Sequence, residues 1–495
     1  MSQIKVEKLT YAYDGSYDNI FEDVSFQIDS DWKLGLIGKN GMGKTTLLKL
    51  FLGHHEYIGK IISSVQFEYF PFYVKDMSSI TIDIIDGICS EVEYWRIRKE
   101  LSLLECDEDI LYRPYGTLSN GERTKVLLSA LFSKDNSFLL IDEPTDNLDM
   151  HGRDIVSNYL NGKKGFILVS HDRAFLDGCI DHVMSINNTE IQIQQGDYSS
   201  WRMNKDRRDS FEIAENERLK KEVKQLQRTV REKAAWSDKA ERRKIGFDPT
   251  KTEKNINSRP VQGAKAKKMM KRAKAIENRY DKAIEDKSRL LRNVDEIDAL
   301  KVQQENFHSR ILANLKDLSI FYGDKTACSH VSFAVEKGDR IALCGKNGAG
   351  KSSILKLICG ASLTYNGSFS RGSSLHVSIV QQETASLSGS LSDFAVSRGI
   401  EESLFKAILR KLGFSRVQFE KDMENFSSGQ KKKVLIAASL CEKSHLMVWD
   451  EPLNFIDVNS RVQIEELLLK QKPTVIFVEH DRVFCEKIAT KIIEL

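Results

Sequence analysis

The sequence predicts an α/β protein: two doubly wound units with parallel sheets, set in tandem and joined by a long antiparallel helical hairpin. Three observations predict it. A glycine-rich phosphate loop occurs twice, each copy lies between an apolar run and the start of a helix, and the stretch between the copies carries two helical seams around a turn-rich centre.

The loop GxxxxGK[ST] occurs as Gly38-Lys39-Asn40-Gly41-Met42-Gly43-Lys44-Thr45 and as Gly345-Lys346-Asn347-Gly348-Ala349-Gly350-Lys351-Ser352, its lysines 307 residues apart. Further landmarks recur at offsets of 308 to 309: Ser119-Asn120-Gly121-Glu122 with Ser427-Ser428-Gly429-Gln430, Asp142-Glu143-Pro144 with Asp450-Glu451-Pro452, and His171-Asp172-Arg173 with His480-Asp481-Arg482. One order at one offset means a duplicated domain. The 495 residues therefore divide into a first unit at 1–202, a linker at 203–305 and a second unit at 306–495.

Within each unit the apolar runs 34–37 and 341–344 read as buried strands, and 46–52 and 353–358 as helix starts. The carboxylate pairs close the apolar runs 138–141 and 446–449, and the histidines close 166–169 and 475–478. Residues at the carboxyl ends of parallel strands line the ligand crevice of such a sheet.

This pattern points to phosphoryl chemistry. Gly38, Gly41 and Gly43, with Gly345, Gly348 and Gly350, let backbone N–H groups curl around phosphates, and Asn40, Thr46, Asn347 and Ser353 belong to the same two loops. Lys44 and Lys351 are placed to neutralise phosphate oxygens, and Thr45 and Ser352 to offer a hydroxyl to Mg²⁺. Asp142 and Asp450 are candidates to hold that cation, and Glu143 and Glu451 to polarise the attacking water. His171 and His480 are candidates to contact the γ-phosphate.

Composition excludes other classes. No apolar run approaches the roughly 18 residues a membrane span requires, and no signal-like segment opens the chain, so a cytoplasmic location is expected. The eight cysteines form no CxxC pair, which suits a reducing compartment without structural zinc. The net charge of +3 conceals a strong asymmetry, since residues 218–292 hold 25 Lys and Arg against 10 Asp and Glu.

That basic stretch is the linker. Residues 204–244 lack Gly and Pro, and Leu219, Val223, Leu226 and Val230 form an apolar seam. A second seam follows at Ala273, Ile276, Tyr280, Ala283, Leu290, Val294 and Ile297, interrupted at Lys287. With Gly246, Pro249, Pro260 and Gly263 between them, the two arms make a hairpin whose tip falls near 244–262. Arms of about 40 residues reach about 60 Å. Arg242, Arg243, Lys244, Lys265, Lys267, Lys268, Lys271 and Arg272 gather at the tip end, which suits a phosphate backbone, and Phe247 is a candidate for base stacking.

The Ser-x-Gly-[Glu/Gln] stretches resemble the signature motif of ABC ATPases. The resemblance implies two head-to-tail ATP sites closed within one monomer. Lys44, Thr45, Asp142, Glu143 and His171 would meet Ser427, Gly429 and Gln430, while Lys351, Ser352, Asp450, Glu451 and His480 would meet Ser119, Gly121 and Glu122. Tyr13 and Tyr322 match the adenine-stacking aromatic, and Gln382 the glutamine that supports Mg²⁺ and water, where the first half offers Phe72. After the carboxylates, Thr145-Asp146-Asn147-Leu148-Asp149 stays near the family pattern and Leu453-Asn454-Phe455-Ile456-Asp457 drifts from it. Unequal hydrolysis is expected, the Lys44 site being slower.

Two cassettes, no membrane domain, the long linker and Gly196-Asp197-Tyr198-Ser199 resemble the ABC-F proteins. The short interval between Phe72 and Ser119 leaves no room for a large arm insertion, and the residues after His480 leave no C-terminal extension. Trp236-Ser237-Asp238-Lys239-Ala240 and Lys268-Met269-Met270-Lys271-Arg272-Ala273-Lys274-Ala275 are similar to the Lsa-like antibiotic-resistance branch. That likeness implies binding at the tRNA exit site of the ribosome, with the hairpin directed at tRNA and the large-subunit rRNA of the peptidyl-transferase centre. It further implies protection against lincosamides, pleuromutilins and streptogramin A. A general translation factor acting on stalled ribosomes is the runner-up, followed by a transporter ATPase subunit.

Overall fold

The computed structural model describes residues 2–13, 19–89, 93–146, 148–187, 190–245, 304–305, 307–384 and 387–495. The chain forms two compact units, Met1–Trp201 with Ala299–Leu495, and Arg202–Asp298. Both cassettes belong to the first unit.

In the first cassette, β1 (Gln3–Tyr11), β2 (Phe21–Asp29) and a later strand, Ile58–Ile62, make an antiparallel sheet in the order β2, β1, Ile58–Ile62. The central sheet has six strands, ordered Gln66–Phe70, Ser137–Asp142, Phe166–Val169, Lys33–Ile37, His182–Asn187 and Glu190–Gln195. All neighbours are parallel except the last pair. The second cassette repeats the plan with an antiparallel sheet of Lys325–Glu336, Ile311–Tyr322 and Thr364–Arg371, beside a five-stranded parallel sheet. That sheet runs Val377–Val380, Leu446–Asp450, Val475–Val478, Arg340–Cys344 and Lys491–Glu494.

The unbroken apolar runs follow from burial on both faces of these sheets. Phe138 and Leu140 pack into one core with Leu34, Leu36 and Ile167, while Leu139 and Ile141 pack into another with Phe166 and Leu168. Ile341, Leu343, Leu446 and Val448 face one core of the second cassette, and Ala342, Cys344, Met447 and Trp449 the other. Burying each large apolar side chain stabilises the fold by about 1.5–3 kcal/mol.

The cassettes interlock. Arg173 forms a buried ion pair with Glu465 of the other cassette, and Arg153 donates through Nη1 both to Asp172 (2.7 Å) and to the backbone carbonyl of His480 (3.1 Å). Arg153 is also held within its own cassette by Asp172 and the carbonyls of Leu148 and Thr145, and the His480 carbonyl is the acceptor it takes from the other cassette.

After the first cassette the chain continues as a 48-residue helix, Tyr198–Ile245. At 1.5 Å per residue it extends about 70 Å. It contains the first predicted arm, including Arg242, Arg243 and Lys244. The second arm and the tip, with Phe247, Lys265, Lys267, Lys268, Lys271 and Arg272, lie outside the described residues.

Candidate functional site: two composite nucleotide sites

Each phosphate loop joins a central strand to a helix, Lys33–Ile37 to Lys44–Phe51 and Arg340–Cys344 to Lys351–Ile358. Gly43 and Gly350 cap these helices at φ 87° and 84°. A Cβ on Gly350 would lie 2.6 Å from the Ala327 carbonyl oxygen, so the turn needs glycine on both counts. Lys44 Nζ donates to the carbonyl of Gly38 at 2.9 Å and Lys351 Nζ to that of Gly345 at 2.7 Å. Both ammonium groups thus rest inside their own loops, and burial depresses the pKa of both lysines. Tyr13 and Tyr322 are half exposed, their hydroxyls hydrogen-bonded to Thr46 (2.8 Å) and Ser353 (3.2 Å).

The Lys351 site is an open cavity of about 1200 Å³ built from both cassettes. Tyr322, Asn347, Gly348, Gly350, Lys351, Ser352, Ser353, Gln382, Glu451 and His480 line it from one side, and Ser119, Gly121 and Glu122 from the other. Asp149, which caps the helix Met150–Asn161, accepts from the Asn347 backbone N–H at 3.3 Å across the cassettes. The Lys44 site also draws on both cassettes. Asn40 Nδ2 donates to the Phe455 carbonyl at 2.9 Å, and a Cβ on Gly429 would lie 2.3 Å from that same oxygen and 3.2 Å from Asn40 Nδ2. The structure thus brings Gly429 to the first phosphate loop and the Ser119 motif to the second.

The signature serines and the residues three places on have a second task. Ser119 with Glu122 and Ser427 with Gln430 form reciprocal capping boxes at the starts of Asn120–Phe132 and Ser428–Cys441. The serine hydroxyl accepts from the later backbone N–H, and the Glu or Gln side chain accepts from the serine's. The first four backbone N–H groups of a helix lack intrahelical acceptors, which explains why these residue types recur at this spacing.

Glu143 and Glu451 both adopt left-handed backbone, φ 48° and 47°. Non-glycine residues rarely do so, and such strain is kept where the surroundings enforce it. His171 Nε2 lies 3.3 Å from Glu143 Oε1, and His480 Nε2 lies 3.5 Å from Glu451 Oε1. Beyond this the two sites part. Glu451 Oε2 accepts from Gln382 Nε2 (2.8 Å) and Asn454 Nδ2 (2.6 Å). The matching positions of the first cassette hold Phe72 and Asp146. Burial raises Glu451, but the His480 hydrogen bond and charge, the Lys432 charge and the Gln382 hydrogen bond outweigh it and hold the carboxyl below its ordinary value. Burial, then the charges of Asp146 and Asp142, push Glu143 up to about 8. Burial likewise pushes Asp146 up to about 6, and keeps His171 well below its ordinary value.

The donor sets suit a hard cation. Thr45 Oγ1 donates to Asp142 Oδ2 at 2.8 Å, and Asp450 Oδ1 is a buried carboxylate oxygen without a hydrogen-bond partner among the described residues. Gln382 spends its amide nitrogen on Glu451, so its carbonyl oxygen is the atom it can offer a metal. Hard oxygens near phosphates are what Mg²⁺ takes.

Several site residues were not read from the sequence. Lys432, only 1% exposed, donates Nζ to the carbonyls of Gln381 (2.8 Å), Gln382 (3.2 Å) and Asp450 (3.3 Å), tying the glutamine loop to the carboxylate strand. Burial depresses its pKa to about 8. Lys433 is buried against Asp457 at 2.7 Å. In the first cassette, Tyr69 donates its hydroxyl to Asp142 at 3.1 Å. The run Lys431-Lys432-Lys433 signals only polarity, whereas the alternation of Phe67 and Tyr69 along their strand could have placed Tyr69 on the face of the sheet that carries Asp142.

Fold and site together define a tandem ATP-binding cassette ATPase. The profile of the ABC transporter family matches residues 21–146 and 328–454, and the chain belongs to that family. Among curated relatives, the ribosome protection protein VmlR of Bacillus subtilis is 26% identical over 96% of this chain and 84% of its own. ABC transporter F family member 2 of Arabidopsis thaliana is 24% identical over 100% of this chain and 76% of its own. The resemblance to ABC-F proteins stands with these relatives. Among solved structures, the archaeal ribosome recycling factor aABCE1, in complex with the stalk protein aP1, superposes with a TM-score of 0.63 at 17% identity, over 98% of this chain and 87% of that one. This last likeness is one of fold. No helix among the described residues is long and apolar enough to cross a membrane.

Proposed function

We propose that this ATPase acts on the ribosome in the cytoplasm, binding at the tRNA exit site and using its linker to protect the peptidyl-transferase centre from lincosamides, pleuromutilins and streptogramin A. The observation that carries the reading is a likeness to a ribosome protection protein that runs through both cassettes and the linker between them. The 48-residue helix that leaves the first cassette supports it, since joining two domains needs far less length. On this reading the protein works as 1–202, 203–305 and 306–495, a monomer with intramolecular cassette pairing. The basic linker contacts rRNA and tRNA.

Mg²⁺, held by Thr45 and Asp142 in one site and by Ser352, Asp450 and Gln382 in the other, would neutralise charge developing on the phosphates. Glu451 orients water with an ionised carboxylate fixed by Gln382, Asn454 and His480. Glu143, facing Asp146 and held by the His171 backbone N–H but by no side-chain amide, does so poorly, which makes the Lys44 site the slower one. Hydrolysis then opens the cassettes and releases the protein.

The test is cell-free translation with each drug class, with and without the chain, and with a variant lacking 244–262. Rescue by the full chain and none by the deletion variant, at unchanged ATPase activity, is expected. Rescue by the deletion variant would overturn the role of the tip, and ribosome binding without any rescue would leave a general translation factor.

A further inference from the structure

The first cassette lacks the glutamine that its partner supplies as Gln382. Strand register shows how far the loss extends. Phe70 pairs with Ile141 in one sheet, as Val380 pairs with Trp449 in the other, so Phe72 falls at the place of Gln382. Phe72 is 44% exposed and has no amide to offer.

Three residues earlier the same strand provides a different donor. Tyr69 pairs with Leu140, two residues before Asp142 on the parallel neighbour. Side chains two apart share a face, and a tyrosine spans the diagonal that a shorter residue cannot. Its hydroxyl donates to Asp142 Oδ2, the oxygen that also accepts from Thr45. Burial and the Asp142 carboxylate raise the phenol above its ordinary value, which keeps it a neutral donor. The corresponding residue of the second cassette is Ile379, paired with Val448 two residues before Asp450, and it has no group to donate. There, Lys432 and Gln382 hold the carboxylate region instead.

We infer that Tyr69 is a positioning residue of the Lys44 site, fixing the Asp142 carboxylate for cation binding in place of the missing loop glutamine. A hydrogen bond from a neighbouring side chain sets the rotamer of a metal-binding carboxylate, and its loss weakens metal affinity by about 10-fold. Two donors on Oδ2 leave Oδ1 as the oxygen presented to the cation. The inference rests on the reading of Lys44, Thr45 and Asp142 as a metal–nucleotide site.

The experiment uses the full chain with Lys351→Met, which removes nucleotide from the other site. Mn²⁺ binding is followed by electron paramagnetic resonance with saturating ATP, and metal-free ATP binding by fluorescence of a labelled analogue. Tyr69→Phe should weaken Mn²⁺ binding about 10-fold and leave metal-free ATP affinity within about twofold. A general structural defect would lower both, and that result, like unchanged Mn²⁺ affinity, overturns the role of Tyr69. If the parent with Tyr69 intact binds no Mn²⁺ with ATP, the reading of the Lys44 site itself falls, and this inference with it.

Discussion

Asn40 of the first phosphate loop donates its side-chain amide to the backbone carbonyl of Phe455 in the second cassette, 2.9 Å away. Phe455 holds a left-handed backbone, φ 64°, and its carbonyl oxygen also lies against Gly429. The Asn40 side chain of the first cassette therefore meets two backbone segments of the second at one oxygen, with no space for a side chain at position 429.

Gly429→Ala follows directly. The added Cβ would sit 2.3 Å from the Phe455 carbonyl oxygen of the same cassette, so that backbone, which accepts from Asn40 of the other cassette, must shift and the contact between the cassettes is lost with it. In a Glu451→Gln background, where only the Lys44 site turns over, single-turnover hydrolysis should fall by about 10-fold or more. The thermal midpoint should change little, because the clash lies at the cassette boundary and spares both cores. Unchanged hydrolysis would show that Gly429 does not close this site.

The unequal settings of Glu143 and Glu451 give a second prediction. Asp146 stands where the other cassette has Asn454, whose amide holds Glu451 Oε2 at 2.6 Å. Asp146→Asn removes a negative charge from beside Glu143 and supplies a donor. In the Glu451→Gln background it should raise single-turnover hydrolysis at the Lys44 site by about threefold to tenfold, since one pKa unit is a factor of ten in the ionised fraction of a largely protonated carboxyl. A slower or equal rate would mean that Asp146 does not limit this site.

A third concerns acid stability. Burial raises the carboxyl of Asp457, but the Lys433 ammonium at 2.7 Å and the hydrogen bonds from Ser460 overcome this and hold it at about 2, against an ordinary value of 3.8. A depressed carboxylate stabilises the fold above its unfolded pKa, and that contribution is lost as pH falls from about 4 towards 2. The pair contributes about 2 kcal/mol above pH 5 on this basis. Urea unfolding should therefore show the gap between wild type and Asp457→Asn shrinking by about 1.5 kcal/mol between pH 5 and pH 2.5. A gap independent of pH would rule out the linkage.

Much of the fold was legible because its signals are local. A strand, a glycine turn and a helix start lie within 20 residues of each other in both halves, and duplication tested each landmark against its copy. The site was legible only where a residue acts through its own motif. The Phe72 substitution is visible in sequence, but the answer to it is not, because Tyr69 reaches Asp142 only through the register of two strands about 70 residues apart. The drift at Leu453-Asn454-Phe455 drew attention to the second cassette, yet Asn454 serves Glu451 well and Asp146, in the stretch nearer the family pattern, perturbs Glu143. Glu122 and Gln430 match a binding signature and also cap helices, and spacing alone cannot separate two tasks that require the same residue types.

The central claim is that closure of the paired cassettes on ATP drives association with the ribosome. The Glu143→Gln, Glu451→Gln double variant, trapped with ATP, should pellet with ribosomes through a sucrose cushion and remain in the supernatant with ADP. Equal amounts in the pellet with ATP, ADP and no nucleotide would contradict the account and leave the ATPase without the ribosome.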